Sequence, residues 1–253
     1  MVKWVEQYLL KKIKDNGSVH MTLLDPENTG PDECSRIAGE AERGGTTAIM
    51  VGGSTVASNY ILDDVVKAIK EKVKIPVILF PNNVSGVSRH ADAIWFMSLL
   101  NSSNTYYIID VQALTIRTIK QYGLETISMG YIIVGEGGAA GFIGQARPIA
   151  FDHPELALSY SLAAESLGMR FVYLEAGSGA KQPVPCKMVE LVKRSLSIPL
   201  IVGGGIRDGE TASQIAQSGA DIVVTGTIAE EAELVSEKIQ EIVRGTTRNR
   251  RLI

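Results

Sequence analysis

The sequence predicts an α/β protein built as a single (β/α)8 TIM barrel that spans residues 1–253. Short β-rich runs alternate with helical patterns, which is the signature of a parallel sheet covered by crossover helices. A chain of 253 residues with 45% hydrophobic residues also matches the usual size and core of such a barrel. Finally, the last two predicted strands each run into a glycine-rich turn, as they do in barrels that bind phosphate.

The pattern predicts eight strands and eight helices. The strands are placed near Val19–Leu24, Ala48–Val51, Val77–Phe80, Ala93–Phe96, Glu125–Ile133, Phe171–Leu174, Leu200–Val202 and Ile222–Thr225. The helices are placed near Val5–Lys14, Pro31–Arg43, Leu62–Lys72, Asp110–Tyr122, Pro154–Leu167, Pro185–Ser195, Glu210–Gln217 and Glu230–Val243. Proline or aspartate begins several of these helices and glycine follows several, in line with the usual helix boundaries.

Two connections depart from a regular barrel. Between Phe80 and Ala93 there are about a dozen residues, which is too few for two turns and a covering helix. We therefore expect the third helix to be missing or reduced to a turn, leaving an opening that is either covered by another segment or used as a binding groove. The glycine-rich stretch Val134–Pro148 predicts a long loop that serves as a lid or binding segment, or else as a flexible connector.

Composition narrows the possible functions. No apolar run approaches the roughly 20 residues needed to cross a bilayer, and the start of the chain is charged where a signal peptide is apolar, so we expect a cytoplasmic protein. Cys34 and Cys186 lack metal-type spacing, which favours neutral thiols over a disulfide or zinc site. A net charge of −3 argues against nucleic-acid binding. The basic end of the chain is interpreted as a solvated or subunit-contacting terminus; its arginines are Arg244, Arg248, Arg250 and Arg251.

The two late glycine-rich turns are candidates for a phosphate site. They lie in Pro199–Gly209, which contains Gly204 and Gly205, and in Asp221–Thr227, which ends in Gly226 and Thr227. Glycine lets backbone N–H groups approach an oxyanion closely, and a helix that starts after the turn adds a positive dipole. Glycine also makes ordinary tight turns, but two such turns in tandem favour a phosphorylated small molecule.

Oxygen ligands follow the first two strands. Asp25 lies where the first strand meets its loop, and Ser54 follows the second strand. A carboxylate and a hydroxyl on neighbouring strand ends are hard ligands that suit Mg²⁺ bound to a diphosphate. The alternatives are turn and helix-capping chemistry for Asp25 and a helix start for Ser54.

The sixth strand carries the strongest candidates for chemistry. Tyr173 and Glu175 are two residues apart and share one face, which we expect to be the upper rim of the barrel interior. The following residues, Gly177, Ser178 and Gly179, can donate hydrogen bonds to a polyol phosphate. A carboxylate such as Glu175 inside a barrel must be hydrogen-bonded, functional or held in a structural ion pair. The three histidines show no metal or triad spacing and are expected to be structural; they are His20, His90 and His153.

Taken in order, these motifs resemble those of the geranylgeranylglyceryl phosphate synthase family. The matching segments are His20–Pro26, Val51–Ser54, Tyr173–Gly179, Val202–Arg207 and Thr225–Thr227, and Tyr-Leu-Glu-Ala-Gly-Ser-Gly is the specific one. The resemblance implies a Mg²⁺-dependent prenyltransferase that joins the 3-hydroxyl of sn-glycerol 1-phosphate to C1 of geranylgeranyl diphosphate and releases diphosphate, in archaeal ether-lipid synthesis. It also implies a barrel that lacks the third helix.

The resemblance assigns roles to individual residues. Asp25 and Ser54 would bind Mg²⁺. Chemistry adds that Glu175 could either take the proton of the attacking hydroxyl or only position the polyol, with Tyr173 as the second catalytic candidate. The glycerol phosphate would be held by Tyr173, Leu174, Glu175, Ala176, Gly177, Ser178, Gly179, Gly204, Gly205, Gly226 and Thr227. A homo-oligomer and peripheral contact with the membrane, through the lipid substrate and product, are further expectations.

Three alternatives remain open from the sequence. One is a relative that uses a longer prenyl diphosphate, such as heptaprenyl diphosphate. Another is a phosphosugar isomerase with Asp25 as base, which would need an opposing acid near the fifth strand, where Glu136 is the candidate. The third is a barrel that only binds phosphate or serves as a structural subunit.

Overall fold

In the computed structural model, eight parallel strands close a barrel in the order of the chain, and β1 pairs with both β2 and β8. The structure describes residues 4–27, 29–53 and 59–247. The strands are β1 Val19–Leu24, β2 Ala48–Val51, β3 Val77–Leu79, β4 Ala93–Leu99, β5 Glu125–Ile133, β6 Phe171–Glu175, β7 Leu200–Gly203 and β8 Ile222–Thr225. All eight lie where the sequence predicts them, with shifts of a few residues at their ends. The predicted (β/α)8 barrel is therefore confirmed.

Ten helices surround or close the barrel in the described residues. They are α1 Trp4–Asn16, α2 Pro31–Gly44, α3 Asn59–Lys72, α4 Val111–Tyr122, α5 Gly138–Ile143, α6 Pro154–Ser166, α7 Cys186–Ser195, α8 Gly209–Gln217, α9 Thr227–Glu231 and α10 Val235–Thr246. A π-helical turn, Tyr106–Asp110, leads directly into α4. Two buried clusters pack these helices against the outer faces of the strands, as the apolar character of both strand faces requires.

The N-terminal end of the barrel is closed by α1. Val5 and Leu9 of this helix are fully buried and pack into the same cluster as the inward-facing strand residues Met21 and Phe171. The carboxylate of Glu125, at the start of β5, accepts the N–H groups of Val5 and Glu6 at 2.9 Å each and so satisfies the first turn of α1. The barrel interior is therefore open at its C-terminal end.

The predicted loss of the third helix is confirmed. Residues 80–92 connect β3 to β4 through turns and contain no helix. The strand without a following helix is β3, and beside it an open space remains between the outward residues Ile94 and Phe96 of β4 and the helix α4. The opening remains a groove, which is one of the two outcomes that the short connection predicted.

Two other connections differ in detail from the sequence prediction. The long loop after β5 contains the short helix α5. The predicted helix Glu230–Val243 is split into α9 and α10 because Ala232 adopts an extended conformation. Ala229 and Val235 both pack into one buried cluster. Six residues apart, they would lie about 240° apart around a continuous helix, so the break allows both to be buried.

Candidate active site

Two cavities open at the C-terminal end of the barrel, and they meet. The first, which we call the groove, encloses about 1210 Å³ including its open mouth; it runs from Asp25 past Phe80 to the space between β4 and α4. The second, which we call the clamp, encloses about 790 Å³, again including its open mouth, and lies between the strand ends of β6, β7 and β8. Both are lined by Leu23, Glu175, Ser178, Gly226 and Thr227. These shared residues mark a junction where contents of the two cavities would touch.

Glu175 lies at this junction, at the end of β6, and is only 6% exposed. Its Oε1 accepts the N–H of Gly177 at 2.6 Å, and the hydroxyls of Tyr131 and Tyr173 also donate to the carboxylate. Burial raises the pKa of Glu175, and these three hydrogen bonds oppose that rise. None of the ion pairs among the described residues includes Glu175, so a structural ion pair does not explain it.

Three aromatic rings pack beside Glu175, and we call Phe80, Tyr131 and Tyr173 the aromatic cluster. Their centroids are 5.4 Å apart for Phe80 and Tyr131, 5.7 Å for Phe80 and Tyr173, and 5.3 Å for the two tyrosines. Of these three residues, only Tyr173 is predicted as a site residue from the sequence. Tyr131 is directly opposite Tyr173 in the register of β5 and β6. An aromatic residue on the neighbouring strand was a signal that pointed to it.

Asp25 lies half-buried at the mouth of the groove. Its Oδ1 accepts the N–H of Glu27 at 3.0 Å, while its own N–H donates to Glu230 Oε1 at 3.0 Å. Burial raises the pKa of Asp25. A Cβ built on Gly53, just after β2, would overlap the Asp25 carboxylate, so the ends of β1 and β2 meet at this side chain.

The surroundings of Asp25 fit a magnesium ion of the kind that binds diphosphate. No group of three or more His, Cys, Asp or Glu side chains suited to a metal occurs within the described ranges. Mg²⁺ keeps several waters and is commonly held by one or two carboxylates together with substrate phosphates, so one half-buried carboxylate at a cavity mouth suffices. Ser54, the second predicted ligand, lies outside the described residues.

The clamp is formed mainly by backbone. Gly204 and Gly205 have φ of +83° and +72°, and Gly177 and Gly179 have φ of +109° and +69°. These left-handed conformations are open to glycine at little cost, so the turns after β6 and β7 can present backbone N–H groups to a ligand. The hydroxyls of Ser178 and Thr227 are 3.3 Å apart.

The remaining predicted binding residues lie on β6 and after β8, and not all of them turn their side chains toward the clamp. Leu174 and Ala176 have side chains that pack into the outer core, so only their backbone groups are near the clamp. Gly226 lines both cavities. Arg207 also lines the clamp, although it is not among the site residues predicted from the sequence. A cation directly after a glycine-rich turn was the signal that was available.

His20 serves a structural role, as expected. Its Nδ1 is 3.0 Å from Thr46 Oγ1 and its Nε2 is 2.9 Å from Thr225 Oγ1, so both ring nitrogens are hydrogen-bonded. Burial lowers the pKa of His20 to about 3. A neutral imidazole thus links β1 to β8 beside the turn that carries Gly226.

Comparisons with known proteins identify the family and agree with the fold. The family model described as PcrB family matches residues 10–246. The geranylgeranylglyceryl phosphate synthase of Thermofilum pendens is 53% identical over 96% of this chain and 94% of its own length, and that of Methanothermobacter thermautotrophicus is 51% identical over 95% and 98%. The crystal structure of (S)-3-O-geranylgeranylglyceryl phosphate synthase from Thermoplasma acidophilum in complex with sn-glycerol-1-phosphate superimposes with a TM-score of 0.93, at 45% identity, covering 98% of this chain and 99% of that one. The chain therefore belongs to the PcrB family, together with these geranylgeranylglyceryl phosphate synthases.

Proposed function

We propose that this chain transfers a geranylgeranyl group from geranylgeranyl diphosphate to the 3-hydroxyl of sn-glycerol 1-phosphate, releasing diphosphate. The observation that carries the proposal is the position of Glu175, a buried carboxylate shared by a glycine-lined clamp and a largely apolar groove. A reaction between a small phosphorylated alcohol and a long apolar diphosphate needs two such cavities that meet at one polar group. The names of the relatives and the ligand of the Thermoplasma acidophilum enzyme support the same pair of substrates.

The clamp has the properties required for glycerol phosphate. Glycines with positive φ at Gly204 and Gly205 present backbone to the ligand, and the Ser178 and Thr227 hydroxyls add donors. Arg207 supplies a positive charge at the same place. At the other side of the clamp, Glu175 can accept hydrogen bonds from the glycerol hydroxyls, and the Tyr173 oxygen, whose own O–H donates to Glu175, can accept one as well.

The groove has the properties required for a prenyl chain. It descends along β4 in the space left by the missing helix, and α4 forms its other wall. The residues of α4 that line the groove share one face of the helix; they are Val111, Gln112, Thr115 and Ile119. The rise from Val111 to Ile119 is about 12 Å. Apolar surface over this length suits an isoprenoid tail, and Asp25 at the mouth lies at the diphosphate end.

The reaction is a substitution at the allylic carbon C1. The C1–O bond breaks with both electrons going to the diphosphate oxygen, and a lone pair of the glycerol 3-hydroxyl forms the new C1–O bond. Glu175 accepts the proton of that hydroxyl, and the hydroxyls of Tyr131 and Tyr173 hold its carboxylate in place. The clamp keeps the nucleophile oriented, which contributes through proximity.

We further propose that the enzyme depends on Mg²⁺, with Asp25 as a ligand and Ser54 as the second predicted one. When bound, the ion would neutralise negative charge on the diphosphate leaving group. Asp25 is held by the Glu27 N–H and lies against Gly53, so its carboxylate is oriented toward the groove mouth by the protein itself.

The structure does not support the phosphosugar isomerase alternative. A phosphosugar isomerase would need an acid opposite Asp25, and Glu136 is exposed and lines neither cavity.

A prenyltransferase that prefers a longer chain would use the same site, and an activity assay distinguishes it from the proposed enzyme. Purified protein is incubated with Mg²⁺, either enantiomer of glycerol phosphate, and prenyl diphosphates of increasing length. We expect turnover with the sn-1 enantiomer and the C20 diphosphate; activity only with longer chains, or with neither, would contradict the proposal.

The proposal also concerns how the chain meets the membrane. In the part of the chain that the structure describes, no helix combines the length and the apolar character needed to cross a membrane. We propose a cytoplasmic homo-oligomer that contacts the membrane only peripherally, through its lipid substrate and product. Arg244 lies in α10, whereas the predicted basic end from Arg248 onward lies outside the described residues.

A further inference from the structure

Phe80 follows β3 directly and lies near both carboxylates of the groove. Its backbone contacts Gly52, next to the Gly53 that meets Asp25, and its ring packs against the tyrosines that donate to Glu175. It lines the groove together with both carboxylates, and it is only partly buried. Its backbone is held firmly: the N–H of Phe80 donates to Val51 O at 2.8 Å, and its carbonyl occupies the space that a Cβ on Gly52 would need. With its ring packed against Tyr131 and Tyr173, the side chain therefore has a defined position in the groove, next to the tyrosines that hold Glu175.

The aromatic cluster divides its tasks. Tyr131 and Tyr173 are 5% and 1% exposed, and their hydroxyls donate to Glu175. Phe80 has no hydroxyl and packs against both rings, perpendicular to Tyr131 at 89° and tilted by 30° to Tyr173. What Phe80 offers to the contents of the groove is the π-electron density of its ring, which attracts positive charge.

Positive charge arises at this place if the proposed function holds, and the present inference rests on it. The diphosphate would lie near Asp25 and the attacking hydroxyl near Glu175, so the allylic carbon must lie between them, beside Phe80. As the C1–O bond breaks, both electrons leave with the diphosphate oxygen and C1 becomes cationic. The charge disappears when the glycerol oxygen donates its lone pair to C1 and Glu175 takes the hydroxyl proton.

We propose that Phe80 is a catalytic residue of this reaction, whose ring stabilises the cationic character at C1 in the transition state through a cation–π interaction. The interaction exists only while C1 carries charge. It therefore accelerates the chemical step and does not strengthen the binding of either ground-state substrate.

The first test alters the electron density of the ring with little change in its size. Phe80 is replaced by phenylalanine with one, two or three ring fluorines, and the chemical step is measured by single turnover at saturating substrates. We expect the rate to fall stepwise, by about tenfold overall, with both KM values within about threefold. The same substitutions at Phe151, which lines neither cavity, serve as the control and should leave the rate unchanged. An unchanged rate with the trifluorinated ring at position 80 would overturn the proposal.

A second test does not depend on catalysis. A prenyl amine that is protonated at the C1 position mimics the cation in the presence of diphosphate, and an uncharged analogue of the same shape provides the reference. Phe80→Leu should reduce the preference for the charged analogue over the neutral one by about tenfold. An equal loss of affinity for both analogues would mean that Phe80 only packs against the chain. Failure of the wild-type protein to transfer any prenyl group would instead contradict the proposed function.

Discussion

Gly53 and Asp25 lie in direct contact at the ends of β2 and β1, and a single added methyl group on Gly53 would occupy the space of the Asp25 carboxylate. The absence of a side chain at position 53 thus determines where the candidate metal ligand lies. This relationship predicts an effect on activity without any change in the site's chemical groups.

We expect Gly53→Ala to lower turnover by at least about tenfold, because the Asp25 carboxylate must move away from the groove mouth. Gly30→Ala is a suitable control, since a Cβ there would meet no atom within 4 Å and Gly30 has an ordinary extended conformation. Steady-state kinetics at several Mg²⁺ concentrations provides the measurement. If the two variants behave alike, the position of Asp25 is not set by Gly53.

Asp25→Ala should lower turnover by about 100-fold or more. Loss of an anionic ligand removes roughly 3 kcal/mol of transition-state stabilisation, because the diphosphate charge is no longer neutralised as the C1–O bond breaks. The measurement is turnover across a range of Mg²⁺ concentrations, together with a thermal melt to show that the variant is folded. A folded variant with activity within a few-fold of wild type would exclude Asp25 from the site.

Glu175→Gln should lower kcat by about 10²- to 10⁴-fold while KM for glycerol phosphate changes little, because an amide keeps the shape but cannot take a proton. In the wild type, kcat/KM should fall on the acidic side at a pH above the usual range of glutamate. The reason is that burial raises the pKa of Glu175 and protonation removes the base. This acidic limb should vanish in Glu175→Gln. If it persists there, it belongs to another group, such as the substrate phosphate.

Gly204→Ala should damage the site locally. Its φ is +83°, and a Cβ would lie 2.6 Å from Gly177 O and 2.7 Å from Glu175 Oε1. Gly123→Ala is the matched control, because Gly123 has a similar φ of +72° but open space around its Cβ. Both variants should lose about 1 kcal/mol of stability through backbone strain. Only Gly204→Ala should also raise KM for glycerol phosphate and lower kcat, and equal kinetics of the two variants would argue against the clamp.

His20 predicts a pH dependence of stability. Its folded-state pKa of about 3 is lower than its usual value of 6.5. Unfolding is therefore coupled to proton uptake by His20. The part of the unfolding free energy that depends on a neutral His20 is fully present above pH 6.5 and is lost as the pH falls toward 3. Between pH 7 and pH 5 the loss amounts to about 2 kcal/mol. The measurement is the free energy of unfolding in urea at pH 7 and at pH 5. The drop between the two pH values should be smaller by about this amount in His20→Gln than in the wild type. His153→Gln, at an exposed position, should behave as the wild type.

The sequence by itself determined the order of strands, the missing third helix and the residues at the carboxyl ends of β1, β6, β7 and β8. These features are local: β-rich runs, a connection too short for a helix, and glycines at turns can be recognised without knowing which segments touch. It also determined that Tyr173 and Glu175 share a face, because side chains alternate along a strand.

Only the tertiary structure decided what surrounds Glu175. Phe80, just after β3, and Tyr131, in β5, are far apart in the sequence, and barrel closure and strand register bring their rings to Tyr173. The same holds for the break between α9 and α10, where Ala229 and Val235 could not both be buried by one continuous helix. In both cases the deciding contribution is the burial of apolar surface between distant segments, and no local pattern records which segments will meet.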